Sequence, residues 1–225
     1  MMRKIIILII AILFVFNGKT SAQENDNENL LLSFNPQYLF TNAIRLDFDI
    51  RTKNSNNWWV ISPYYYTDGD NESFLNRGGY GNYNRKKYES MYGLGLGIAR
   101  KIYILPKSGA GGLYAMAGVT YKYFSIRGDN FTYVETTGDD GLNYYDMQDV
   151  EYTININSYG GSVIIGNQFN PFPKFYIDLY LGFGLKYSTH SSPENVLIEY
   201  NRGSIDYGYS GTQFLGGVRL GIAIF

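Results

Sequence analysis

Ile44-Arg45-Leu46-Asp47-Phe48-Asp49-Ile50-Arg51 is the stretch on which the fold turns. Its even positions are apolar and its odd positions are charged. Side chains alternate across a strand, so Ile44, Leu46, Phe48 and Ile50 share one face and four charges share the other. Phe175-Tyr176-Ile177-Asp178-Leu179-Tyr180-Leu181-Gly182-Phe183-Gly184-Leu185-Lys186-Tyr187 repeats the pattern over 13 residues. Tyr92 to Ala99 alternates large with small, and Leu113 to Tyr123 does so more softly. Val150-Glu151-Tyr152-Thr153-Ile154-Asn155-Ile156-Asn157 alternates cleanly.

Working outward, eight such segments emerge: Leu31–Phe40, Ala43–Lys53, Trp58–Thr67, Tyr88–Ile104, Gly112–Arg127, Asp149–Gln168, Phe175–His190 and Tyr207–Phe225. The third chooses no face, and its Pro63 must sit where no ladder N–H is needed. The sixth shifts phase around Tyr159-Gly160-Gly161, which reads as a bulge. Short connections (Asn54–Asn57, Leu105–Gly111, Asn170–Lys174) take turns with long polar ones (Asp68–Lys87, Gly128–Gln148, Ser191–Asp206). Thr41-Asn42 is the exception. Short turns at one end and long loops at the other are the arrangement of an outer-membrane barrel.

Composition is compatible. The chain has 225 residues, 19 Lys plus Arg, 20 Asp plus Glu, one His and no Cys. Disulfides, thiolate catalysis, Cys-ligated metals and a multi-His metal site within one chain are thereby excluded. There are 26 Gly, 23 Tyr and 14 Phe, yet mean hydropathy is only −0.21. A helical membrane protein would be far more apolar; a barrel exposes only alternate residues to lipid.

The first 22 residues read as a removable signal peptide. Met1–Lys4 is basic, Ile5–Phe16 is an apolar run of 12 residues, and Ser21-Ala22-Gln23 offers a cleavage point. Such a run is too short for the ~17–25 residues of a spanning helix. Residues 23–30 form a short polar segment, and 31–225 the barrel domain. Removing Arg3, Lys4 and Lys19 leaves 16 bases against 20 acids, a balance that speaks against nucleic acid as a partner.

A soluble barrel would bury the apolar face, and an outer-membrane barrel would turn it outward. Small residues opposite Leu, Ile and Tyr suit a crowded lumen. Acids and bases on the polar faces nearly balance. Trp58, Trp59, Tyr64, Tyr65, Tyr66, Tyr121, Tyr123, Tyr187, Tyr207 and Tyr209 cluster at segment ends, as interfacial girdles do. Val218, Leu220, Ile222 and Ile224 lead to a final Phe225.

The leader ending Ser-Ala-Gln, eight alternating segments and terminal Phe225 resemble the small eight-stranded outer-membrane β-barrel proteins of Gram-negative bacteria, of the Bacteroidota type. The resemblance spans Leu31 to Phe225. It implies an all-β, eight-stranded antiparallel up-and-down transmembrane barrel in the outer membrane. It also implies contact with membrane lipid and lipopolysaccharide, and Phe225 as the signal to the barrel-insertion machinery. One feature departs: counting back by twos from Phe225 gives Ala223, Gly221 and Arg219, one residue out of step with the apolar set. A bulge in the last ladder, or a bend at Phe225, would reconcile them.

Arg45, Asp47, Asp49, Arg51, Lys122, Glu151, Asp178, Lys186 and Arg219 are the lumen candidates, read as a paired network that plugs the bore, since eight strands leave little free space. The rival reading is a narrow charged pore. His190, Ser192 and Glu194 could supply base, nucleophile and orienting group; His-x-Ser faintly resembles the outer-membrane lipid A deacylases. A solvated loop histidine explains His190 more simply. Arg85, Lys86 and Lys87 are candidates for lipopolysaccharide phosphates. Nothing in the pattern asks for a cofactor, and Asp-Gly turns account for Asp68, Asp70, Asp139 and Asp140 more cheaply than calcium. The expectation is a non-enzymatic barrel with a structural or surface-loop binding role. The alternatives are a lipid-modifying enzyme, a pore and a soluble periplasmic ligand-binding barrel.

Overall fold

The computed structural model describes residues 29–53, 56–68, 88–107, 111–137, 141–191 and 206–224. Eight antiparallel strands close on themselves: β1 (Leu30–Phe34), β2 (Ala43–Arg51), β3 (Asn57–Asp68), β4 (Tyr88–Lys107), β5 (Gly111–Thr137), β6 (Asn143–Phe172), β7 (Phe175–Ser191) and β8 (Gly211–Ala223). Each strand pairs with its sequence neighbours, and β8 returns to β1. Following paired residues from Asp49 through Val60, Ala99, Gly118, Ser162 and Gly184 leads to Gln213. Through Leu31 the same Asp49 aligns with Ala223, ten residues further along β8. Ten residues of shear over eight strands set a tilt of about 40° and a radius of roughly 8 Å. Such a barrel is filled by its own side chains.

The end carrying the β2–β3, β4–β5 and β6–β7 turns is called the lower end. At the upper end β5 and β6 outlast their neighbours. β4 begins opposite Gly128 and β7 stops opposite Asn155, whereas β5 and β6 pair on to Thr137 and Asn143. Most of the expected Gly128–Gln148 loop is therefore a two-stranded ribbon. Its Phe131-Thr132-Tyr133-Val134 run has strand composition, which its polar neighbours hide.

Three further expectations change. The first segment does not run to Phe40: β1 ends at Phe34, and Pro36–Thr41 forms a 3-10 helix. Pro36 cannot donate to a ladder but fits the first turn of a helix. The helix ends at Asn42, whose φ of 53° asparagine tolerates, and its amide bonds back to the Leu39 carbonyl at 3.1 Å. The last strand begins at Gly211, not Tyr207. Finally, β6 carries no bulge at Gly160: its register with β5 runs unbroken from Asn143 to Gln168. Pro63 stands opposite Leu96 of β4, and the β2–β3 pairing is interrupted at its level.

Burial identifies the faces. Ile44, Ile50, Leu94, Leu96, Val163 and Phe183 point out and are exposed, while Arg45, Asp47, Asp49, Lys101, Asp178 and Arg219 point in and are buried. β3 chooses no face in sequence because both its faces are apolar: Trp58, Val60, Tyr64 and Tyr66 are buried, Trp59, Ile61 and Tyr65 exposed.

Candidate functional site

Inside the lower barrel the ionised side chains form one chain of contacts. Arg45 Nε lies 2.7 Å from Asp47 Oδ1, and Asp47 Oδ2 lies 3.3 Å from Arg219 Nη1. Arg219 Nη2 reaches Asp178 Oδ2 at 2.6 Å. Lys101 Nζ is 3.7 Å from that oxygen and 3.0 Å from Asp49 Oδ2. Three cations thus face three carboxylates, and none of the six is more than 7% exposed. Burying ions costs several kcal/mol each, returned only by close pairing and satisfied hydrogen bonds. Neutral partners provide those: Asn35 Nδ2 donates to Asp47 at 3.0 Å, and the Tyr114 hydroxyl donates to Asp178 at 2.8 Å. Lys101 also donates to Gln168, which accepts from the Tyr103 hydroxyl at 3.0 Å.

Backbone economy makes room for this. Gly166 faces Tyr114 across the β5–β6 ladder, and a Cβ there would overlap the tyrosine hydroxyl that bonds Asp178. Gly217 likewise admits the Gln37 side chain of the 3-10 helix. Gln37 donates to the Tyr180 hydroxyl at 2.6 Å and ties the helix to β7.

Five of the nine lumen candidates, Arg45, Asp47, Asp49, Asp178 and Arg219, are joined in the network. Arg51 points in at the lower end, its guanidinium 5.9 Å from the Trp58 ring centre, but stands outside the six. Lys122 and Lys186 point in higher up. Lys122 lies over the Tyr64 ring at 4.5 Å, and Lys186 Nζ donates to the Asp206 carbonyl at 2.9 Å. Glu151 is not lumenal. It is on the outer face, 2.6 Å from Arg127, with both side chains more than half exposed. The clean alternation from Val150 to Asn157 is real, but there the apolar set (Tyr152, Ile154, Ile156) faces inward.

Lys101 was missing from the sequence reading, although a signal existed. Gly93, Gly95, Gly97 and Ala99 mark the crowded inner phase of β4, and Lys101 follows in that phase while exposed Arg100 does not. Asn35, Tyr114 and Gln168 carried no such signal, because polar uncharged side chains occur on either face.

The aromatic residues divide. Trp58, Tyr64 and Tyr66 are buried inside, and Tyr207 packs against Phe124 at 4.8 Å, so these four leave the expected girdle. Trp59, Tyr65, Tyr121 and Tyr187 are exposed on the outer wall, joined by Tyr92 and Tyr159. Tyr121, Tyr159 and Tyr187 occupy one rung across β5, β6 and β7.

His190 is exposed on β7 opposite Ile156. Ser192, Glu194, Arg85, Lys86, Lys87 and Phe225 lie outside the described residues. The β7–β8 ladder runs without a bulge from Phe175↔Ile222 to Lys186↔Gly211. Among the described residues no cluster of three His, Asp or Glu side chains could hold a metal ion.

Comparison with family models, with curated proteins and with solved structures finds no match.

Proposed function

We propose that this chain is an exported, non-enzymatic barrel of a bacterial outer membrane, its lower lumen closed by the charge network and its upper end presented for binding. The observation that carries the reading is a double inversion at the tyrosine rung. Below it the outer wall is apolar (Val163, Leu181, Phe183, Leu185, Phe214) and the interior ionised. Just above it the outer wall of β5 and β6 turns polar (Asn155, Asn157, Arg127, Glu151) and the interior apolar (Phe124, Ile126, Tyr152, Ile154, Ile156). A soluble barrel has no reason to change its solvent part-way up. A barrel crossing from hydrocarbon into water must do so, and tyrosine favours the boundary.

The dimensions support the same reading. From Phe175 to Tyr187 the outward positions of β7 are all apolar or aromatic. Twelve steps of ~3.3 Å at ~40° tilt span roughly 30 Å, close to the ~25 Å band of outer-membrane barrels with its girdles. The leader Met1–Ala22 supplies the export route. The experiment is fractionation of expressing cells, with gel mobility compared before and after boiling. Recovery in the outer membrane with a heat-modifiable band is the expected outcome; a freely soluble periplasmic protein would end the proposal. Planar-bilayer recordings should show no steady conductance through the plugged lumen.

A further inference from the structure

Above the charge network, and below the upper apolar cluster, lies a chamber of about 280 Å³. It exists because inward positions on four successive strands lack bulk: Gly97, Gly118, Gly160 and Gly184 all line it. Its volume is near the lower end of the ~300–1,000 Å³ usual for small-molecule sites. Two ammonium groups enter it, from Lys122 and Lys186, and they stand close enough to feel each other's charge. Among the described residues no carboxylate lies within ion-pair distance of either. Lys122 is surrounded by tyrosine rings, 4.5 Å from the centre of Tyr64 and 5.4 Å from that of Tyr66. Lys186 donates to a backbone carbonyl, and both lysines remain partly exposed.

The contrast with the floor is one of charge. Six ions below balance three against three, and Arg45, whose side chain reaches the chamber, belongs to Asp47. Among the described residues the two ammoniums above have no ion pair, and the Asp206 carboxylate attracts Lys186 only from beyond ion-pair distance. Like charges brought together in a partly enclosed space are stabilised by an anion, and two call for a dianion.

We infer that the chamber binds a phosphate monoester carried on a small hydroxylated body, with Lys122 and Lys186 sharing the phosphate and the polar lining of Ser62, Thr120 and Ser162 meeting the hydroxyls. This goes beyond the membrane reading and does not depend on it, since it rests on the lumen alone.

The test is isothermal titration of the folded full chain in detergent with glucose 6-phosphate, glucose and glucuronate. Glucose 6-phosphate should bind, glucuronate more weakly, and glucose not measurably. Lys122→Met with Lys186→Met should weaken glucose 6-phosphate at least tenfold. Ser162→Leu, which fills the chamber and leaves both charges, should do the same. Arg127→Met on the outer wall should change nothing. Circular dichroism and heat-modifiable mobility check that each variant is folded. Adding phosphatidic acid to the micelles separates two sources of the monoester: competition identifies a lipid headgroup, and its absence a soluble phosphate. Folded protein that binds neither, glucose binding as well as its phosphate, or folded double-lysine and Ser162→Leu variants that bind like the parent would each overturn the inference.

Discussion

The lower and upper storeys of this barrel are built on the same strands and by opposite rules. Below the tyrosine rung, Asp178 on β7 meets Arg219 and Lys101 inside, while Leu179 and Leu181 face out. Above it, Ile154 and Ile156 on β6 are wholly buried inside, while Asn155 and Asn157 face out. Strand parity never changes between them; β6 passes from one storey to the other in unbroken register. What changes, on the membrane reading proposed above, is the medium on each side of the wall. The same polar–apolar alternation is therefore satisfied by either orientation, and on that reading the outside solvent selects which.

The largest break in that comparison should come from below. Asp178→Ala removes the carboxylate shared by Arg219, Lys101 and Tyr114 and leaves two buried cations short of a partner. The expected loss is ~3–5 kcal/mol, lowering the melting temperature of the detergent-folded barrel by roughly 6–20 °C. Asp47→Ala should act similarly through Arg45 and Arg219; unchanged melting in both would dissolve the network. In the upper storey, Ile154→Ala should cost ~2–5 kcal/mol by an apolar mechanism, cavity formation, measured by denaturant unfolding.

The next prediction sharpens the role of the medium. Val163→Arg places a charge on the lower outer wall, where lipid would make it cost ~2–4 kcal/mol in vesicles. Asn157→Arg, on the same face of the same strand but above the rung, should cost almost nothing. Equal costs at both positions would remove the boundary. The smallest effect belongs to Glu151→Ala. Its exposed pair with Arg127 is worth at most ~1 kcal/mol, so thermal melting should barely move. Asp178 and Glu151 look alike in their alternating segments, and only their storeys set them apart.

Much of the fold was legible because alternation is a local property. Ile44–Arg51 and Phe175–Tyr187 state two faces outright, and eight segments with alternating connection lengths lead to an antiparallel ring. What misled were places where local chemistry and tertiary context diverge. Pro36 ended β1 early, a punctuation mark passed over within an otherwise apolar segment. The apparent phase shift near Gly160 was read as an irregular backbone, though the backbone is regular and the surroundings switch. Glu151 was drawn into the lumen by the same assumption that one orientation holds along a whole strand.

Of the candidate site, the charges on the most strongly alternating strands were readable, and five of nine joined the network. Lys101 was within reach through the glycine phase of β4. Asn35, Gln168 and Tyr114 were not, because their role depends on which carboxylate the closed wall brings opposite. The chamber was beyond reach altogether: its glycines come from five strands, and its two lysines are 64 residues apart in sequence.

The sequence by itself determined that residues alternate, hence that this is a β protein with a polar and an apolar face on each strand. The tertiary structure alone decided how the faces are dealt. Closure with a shear of ten residues brings distant ions within bonding distance. It also sets the height at which inside and outside exchange character. The reason is physical: pleating is a consequence of covalent geometry two residues at a time, whereas burial is a property of the whole ring and of what surrounds it.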